Sequence, residues 1–246
     1  MIPRIIHQLW KTRDLPPDLR EFQKSWIHHH PAWEYHLWTD EDNERLIHEH
    51  YPQFEETFRT LTPNIVKIDF IRLAYMHRFG GVYADLDFEV LRPLDSLFAD
   101  GRIAVGVENG GIGVLMQGRP FIINALIASP AAHPAWLKIM QAMADQFHPR
   151  RWFETHALHV SSMTIEIFHQ QIEAYVSDHV DITVHPSALF YPAPPAVRFA
   201  DERRRMAAQM GSYAIHHYAN TWVGYDIRLI NAVEKLRQRW ARFWRR

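Results

Sequence analysis

The chain has no cysteine in 246 residues. That excludes disulfide frameworks and thiolate metal sites, and leaves any metal to oxygen and imidazole ligands. Charge of one sign is also missing: Lys plus Arg number 27 against 28 Asp plus Glu, for a formal net charge of -1. No basic field exists to hold a phosphate backbone, so no nucleic-acid partner is expected. No apolar run approaches the roughly 20 residues that span a bilayer. The opening MIPRIIHQLW breaks its apolar run at His7 and Gln8 and reads as the first strand of a folded domain, not a leader. These features predict one domain over residues 1–246, cytoplasmic, soluble or peripheral at the cytoplasmic face of a membrane. Glycine is scarce, with 10 residues, which makes the doublet Gly80-Gly81 stand out.

What is present is an alternation of strands and helices. Residues 5–10 read as a buried strand, 17–30 as a helix and 34–38 as a second strand that stops at Thr39-Asp40. Helical spacing runs through 40–61 with a break at Pro52, and a longer helix covers 62–79 before the glycines. Strands are predicted at 82–86, 103–107 and 113–116, and helices at 120–129, 134–148, 161–178 and 224–246. The proline-rich stretch 188–200 reads as irregular, a candidate lid. The fold class is therefore α/β, with a mostly parallel central sheet and a helical C-terminal half. Ligands in such sheets bind beyond the carboxyl ends of the strands, where Asp85 and Asp87 fall.

These two acids, in FGGVYADLDFEV, are the main chemical signal. Acids at i and i+2 at a strand end point the same way, and their mutual repulsion is relieved by sharing a cation. An oxygen-preferring ion, Mn²⁺ or Mg²⁺, would neutralise both acids and a diphosphate. Asp40-Glu41-Asp42 has the same pattern but sits at a helix start, where acids favour the helix dipole. His28 to His30 diverge along a helix and read as a solvated end. In AIHHYANTW, strand alternation sends His216 and His217 to opposite faces, so only one can reach the ion. Asp69 and Arg72 share a helix face; a surface ion pair is the plain alternative. Asn124, in the apolar run PFIINALIASP, needs partners. Trp10, at the end of the first strand, either packs or stacks on a base. Asp40 is either a helix cap or a neighbour of that base, and Glu108 and Asn109 are placed by topology toward an acceptor.

IPRIIHQLW, HPAWEYHLWTDED, KIDFIRLAYMHRFGGVYADLDFEV and AIHHYANTWVG together resemble the DXD-containing glycosyltransferases of family 32, relatives of initiating mannosyltransferases, capsular polysaccharide enzymes and, distantly, clostridial glucosylating toxins. The resemblance implies a GT-A fold and a metal-dependent, retaining transfer of a hexose from a UDP- or GDP-sugar to a glycan, glycolipid or other hydroxyl acceptor, as in polysaccharide biosynthesis. It implies a catalytic centre of Asp69, Arg72, Asp85, Asp87 and Asn124, with Trp10, Asn220 and Trp222 also on the nucleotide sugar. It implies Asp87, His217 and Asp85 on the metal. The family's threonine-glycine-proline stretch is replaced here by THALHVSSMTIEIF, which puts the acceptor side in question. The other readings are a non-catalytic sugar- or membrane-binding module and a DxD phosphohydrolase; the latter wants Thr or Val where this chain has Glu89. Segment 225–246 reads as a basic amphipathic helix whose first half packs on the core and whose last turns, 240–246, ending RWARFWRR, predict contact with an anionic membrane surface, packing on the core being the plain alternative there too.

Overall fold

The computed structural model describes residues 1–108, 110, 118, 120–178 and 181–219. The strand expected at 113–116, the helix from 224 onward, and Asn109, Asn220 and Trp222 lie outside the described residues.

The chain opens β1 (Ile5–Leu9), α1 (Pro17–His29), β2 (Glu34–Trp38), with β1 and β2 parallel from Ile5 opposite Glu34 to Leu9 opposite Trp38. Next comes α2 (Asp40–His50), whose N-cap is Thr39, closed by a capping box with Asp42. Asp40 is thus the first helical residue and not the cap. After a 3₁₀ turn at Pro52–Phe54 come α3 (Glu55–Thr60) and α4 (Asn64–Phe79). Then follow β3 (Gly81–Ala84), β4 (Phe88–Val90), β5 (Ile103–Glu108) and β6 (Phe121–Ser129). The second half carries α5 (Pro134–Gln146), α6 (His156–Met163), α7 (Ile165–Asp178), β7 (Ile182–His185), α8 (Ser187–Phe190), α9 (Ala200–Met210) and β8 (Ala214–His216).

The main sheet runs β2-β1-β3-β6-β5-β7, and β4 pairs with β8 in a separate ribbon. Within the main sheet only β6 runs antiparallel to its neighbours, which makes the sheet mostly parallel, as expected for the α/β class. Alternation along β3 sends Tyr83 into the core beneath α4, α5 and α7, with Phe70, Leu73, Trp136 and Phe168. Val82 and Ala84 enter the opposite core with Trp26, Phe88, Phe190 and Ala214. No helix among the described residues is long and apolar enough to cross a membrane.

Four expectations need correction. Residues 120–129 form β6, not a helix: all nine strand residues are buried, and a strand covered on both faces reads as a continuous apolar run without alternation. The helix expected at 161–178 is two, broken at Thr164, whose hydroxyl donates to the Val160 carbonyl at 2.9 Å. The stretch 188–200 begins as α8, and Tyr191 and Ala193 are buried, so its first half is core. His30 is buried too, its ring joining the Trp26 carbonyl to the Leu94 amide; only His28 of the triplet is well exposed.

Candidate active site

The site is built around the turn from α4 into β3. Gly80 and Gly81 adopt φ of +64° and +90°, and a Cβ would lie 2.5 Å from the Ala131 nitrogen at the first and 2.5 Å from the Ile5 carbonyl oxygen at the second. Only glycine fits at both, and the close approach sets β3 against β1. Period two then puts Tyr83 and Asp85 together: the Tyr83 hydroxyl donates to Asp85 Oδ1 at 2.6 Å.

From α4, Arg72 reaches the same carboxylate. Its Nη2 lies 2.7 Å from Asp69 Oδ1 and 3.2 Å from Asp85 Oδ1, while Nη1 donates to the Asn124 carbonyl at 2.8 Å. The Asn124 amide donates to Asp69 Oδ1 at 3.2 Å, and the guanidinium lies over the Tyr83 ring at 4.6 Å. Burial pulls the Arg72 pKa down, but Asp69 and Asp85 outweigh it and hold the group charged. Asp69 and Arg72 are 4% and 2% exposed, so the surface-pair alternative is overturned. Asn124 acts from β6, with partners on α4, rather than from a helix.

Asp87 immediately precedes β4 and is tied to the strand end of β8. Its carbonyl accepts from the His217 amide at 2.9 Å, and its Oδ2 accepts from the Ala219 amide at 2.7 Å. His216 Nε2 lies 3.2 Å from Asp87 Oδ1. Burial alone would raise the Asp87 pKa; His216 and the Ala219 amide bring it below the usual carboxylate range. His216 is lowered by burial but raised more by Asp87. Asp85 goes the other way: burial raises it, Arg72 opposes, and the neighbouring Asp87 adds to the rise.

The expectation that His217 joins the acids is corrected. The β4–β8 register sets His216 opposite Phe88, with stacked rings 4.7 Å apart. His217 points to the other face, stacks on Phe22 at 4.3 Å and bonds Glu89 Oε2 at 2.8 Å. Burial raises Glu89, but His217 and Arg204 together lower it below its ordinary value.

Donor atoms from Asp85, Asp87 and His216 all lie within 4.8 Å of one another. Two carboxylates and one imidazole suit Mn²⁺ or Mg²⁺ by charge and by donor type. His216 Nδ1 has no hydrogen-bond partner among the described residues, so the ring is held by stacking and by Asp87.

Trp10 is half-buried on the flank of this cluster. It packs against the group containing Leu15, Leu19, Leu37 and Leu86, the last lying between the two acids. Its ring also lines a surface groove with Lys11, Pro16 and Arg20. Glu108 is buried at the end of β5, beside Tyr218. Sequence reading missed Tyr83, although its i, i+2 relation to Asp85 was the available signal. It also missed Arg203, which donates to the His216 carbonyl at 3.1 Å and for which no signal existed.

Residues 16–104 match the family model described as a glycosyltransferase sugar-binding region containing a DXD motif. Inositol phosphoceramide mannosyltransferase 3 of Schizosaccharomyces pombe is 30% identical over 202 residues, 76% of this chain and 56% of that protein. Inositol phosphoceramide mannosyltransferase 2 of the same yeast is 42% identical over 148 residues, 58% of this chain and 43% of that protein. The chain thus spans about half the length of these relatives. Among solved structures, PaToxG glycosyltransferase is similar with a TM-score of 0.49 and 13% identity, covering 70% of this chain and 69% of that one. With the DXD pair just after β3 inside the matched region, residues 16–104 carry the sugar-binding region of the DXD-containing glycosyltransferases.

Proposed function

We propose that this protein transfers a hexose, mannose first among the candidates, from a nucleotide-sugar donor to a hydroxyl of a lipid-linked or glycan acceptor, with retention at the anomeric carbon. The observation that carries the reading is the convergence of Asp85, Asp87 and His216 at the end of β3. A divalent ion, Mn²⁺ or Mg²⁺, supplies charge neutralisation for the departing diphosphate there. Asp87 and His216 hold it. Asp85 is pre-aimed by Arg72 and Tyr83, so it meets the nucleotide sugar with no reorganisation. Asp69 and Asn124 fix the guanidinium, and with Arg72 they form the floor against which the sugar ring rests. Trp10, on the flank, stacks on the base; the family resemblance assigns Asn220 and Trp222, outside the described residues, to the nucleotide sugar as well. In a same-face transfer the anomeric C–O bond to phosphate breaks, the acceptor oxygen bonds the anomeric carbon, and the acceptor proton goes to the leaving phosphate.

The relatives' names point to an inositol phosphoceramide type of acceptor. Exposed Trp152 and Phe153, beside exposed Arg150 and Arg151, support work at a membrane surface. Incubating the full chain with UDP- and GDP-sugars, Mn²⁺ and a phosphoinositol lipid, then measuring freed nucleotide and glycosylated lipid, tests the reading. Absence of donor binding and of nucleotide release across the panel would sink it; release without lipid product would remove only the acceptor.

A further inference from the structure

A second cluster of ligand-type side chains lies in the segment before α6 and in the first turn of that helix. His148, Glu154 and His159 share no residue and no element with the Asp85, Asp87 and His216 group, yet their ligand atoms also lie within 4.8 Å of one another. The tautomers can be assigned, because a backbone carbonyl only accepts. His148 Nδ1 donates to the Pro149 carbonyl at 3.0 Å, and His159 Nε2 donates to the Thr62 carbonyl at 3.2 Å. In the neutral rings the remaining nitrogens, His148 Nε2 and His159 Nδ1, are therefore bare lone pairs. Both face the Glu154 carboxylate, at 3.9 Å from Oε1 and 3.3 Å from Oε2.

Lone pair against carboxylate is a repulsive arrangement unless a proton or a cation sits between them. His159 is fully buried, and its Nδ1 makes no hydrogen bond. A cation fits the spacing: ligand atoms about 2.05 Å from a tetrahedral ion stand roughly 3.3 Å from each other. The surroundings follow the pattern of metal-binding histidines, each giving its other N–H to a backbone carbonyl. The Arg151 amide donates to Glu154 Oε2 at 2.9 Å and orients the carboxylate. Thr155 caps α6 and fixes the helix turn that presents His159.

We propose that His148, Glu154 and His159 bind a divalent transition-metal ion, with Zn²⁺ as the preferred class. Two imidazoles and one carboxylate match that ion better than Mn²⁺ or Mg²⁺. His148 and Glu154 are partly exposed, which leaves a fourth position for water. Bound there, the ion staples the segment around residues 148–155, with its exposed Trp152 and Phe153, to the turn at Thr62 that precedes α4.

The test uses the full chain stripped of metal and carrying Asp87→Asn, so that the DXD cluster does not contribute. Equilibrium dialysis counts tightly bound Zn²⁺, and Co²⁺ substitution reports coordination through its visible absorption. One Zn²⁺ equivalent and a tetrahedral Co²⁺ spectrum are expected, both lost on adding His148→Gln or Glu154→Gln. Because the chain has 17 histidines, a His28→Gln, His29→Gln variant controls for diffuse surface binding and is expected to change nothing. Zn²⁺ is also expected to slow tryptic cleavage after Arg150 and Arg151 about tenfold, and not in the His148→Gln protein. Unchanged Zn²⁺ binding in both His148→Gln and Glu154→Gln would overturn the site, as would its loss in the His28, His29 control. The first outcome leaves His159 and Glu154 as a simple ion pair.

Discussion

Two of the clusters in which imidazole meets carboxylate differ in what surrounds them. At Asp85, Asp87 and His216 the acids outnumber the imidazole, and the buried guanidinium of Arg72 backs one of them. At His148, Glu154 and His159 the imidazoles outnumber the acid, and only backbone groups support them. The first is oxygen-rich, with two carboxylates, the donor set that Mn²⁺ or Mg²⁺ prefers. The second is nitrogen-rich, with a single carboxylate against the ion's two charges, a donor set that favours a borderline-soft ion. His7 is a third case and serves as a reference. It is buried with no acid partner, between the Gly80 carbonyl and the Trp38 indole N–H.

The largest effect is expected from breaking the first cluster. Asp87→Asn should lower transfer by at least ~100-fold, and Asp85→Asn by a similar factor, because each removes charge at the point where the leaving group develops its own. The folded state should survive both, since neither side chain packs a core. Steady-state assays with saturating Mn²⁺ give the answer, and near-normal rates in either variant would remove the acid pair from the chemistry. The two histidines separate more finely. His216→Ala should weaken Mn²⁺-dependent nucleotide binding by ~10–100-fold. His217→Ala should act mainly on the contacts among β8, Glu89 and Phe22, which a calorimetric titration can distinguish from metal loss.

The next effect falls on stability, through the support that only the first cluster has. Arg72→Met leaves the carboxylates of Asp69 and Asp85 without their buried partner, and breaking such a pair costs about 3–5 kcal/mol. Arg72→Lys keeps the charge but loses the fork that serves Asp69, Asp85 and the Asn124 carbonyl together, so most of that cost should remain. Urea unfolding measures both. A loss below ~1 kcal/mol for Arg72→Met would mean that the network is not what holds Asp85.

His7 gives the pH control for the comparison. Burial, with a further push from His36, drives its pKa down to about 3 despite the Gly80 carbonyl. The unfolded chain takes up the proton near pH 6.5, well before the folded one. The contribution is therefore complete above about pH 6.5 and is lost progressively as pH falls toward 3. Between pH 7 and 4.5 the loss should be about 2–3 kcal/mol. Chemical denaturation of the wild type and of His7→Gln at both pH values isolates it, because other titrating groups are common to the two. Equal pH slopes would show that His7 is not kept neutral. His216 should behave oppositely, since Asp87 draws its proton in instead of excluding it.

How far these environments could be read beforehand depended on distance along the chain. The α/β class, the opening β-α-β unit, the glycine turn and the acid pair rest on neighbours within a few residues, and these were legible. β6 was not, because a strand buried on both faces and a buried helix present the same apolar run. The choice of His216 over His217 turns on the register between Phe88 and His216, 128 residues apart by numbering. Arg72 reaching Asp85 requires the packing of α4 under β3. His148, Glu154 and His159 have no motif spacing at all, because a loop and a helix start bring them together.

The smallest effect concerns the segment that the second cluster would brace. Trp152 is 94% exposed and Phe153 62%, with their rings edge to face at 5.7 Å, and two arginines precede them. Aromatic rings that find no cover in the fold are suited to headgroup depth, and each arginine near an anionic surface adds about 1 kcal/mol, roughly fivefold in affinity. The basic stretch 225–246, outside the described residues, carries the same chemistry, so the two contributions must be separated. Co-sedimentation with phosphatidylserine-containing vesicles at low salt is expected to fall about fivefold to tenfold for Trp152→Ser, Phe153→Ser, and further when residues 240–246 are also removed. Phosphatidylcholine vesicles should bind little in every case, since the arginines then have no charge to meet. If the double serine variant sediments like the wild type while the truncation alone abolishes binding, the aromatic pair has no part at the membrane, and the C-terminal stretch carries the contact by itself.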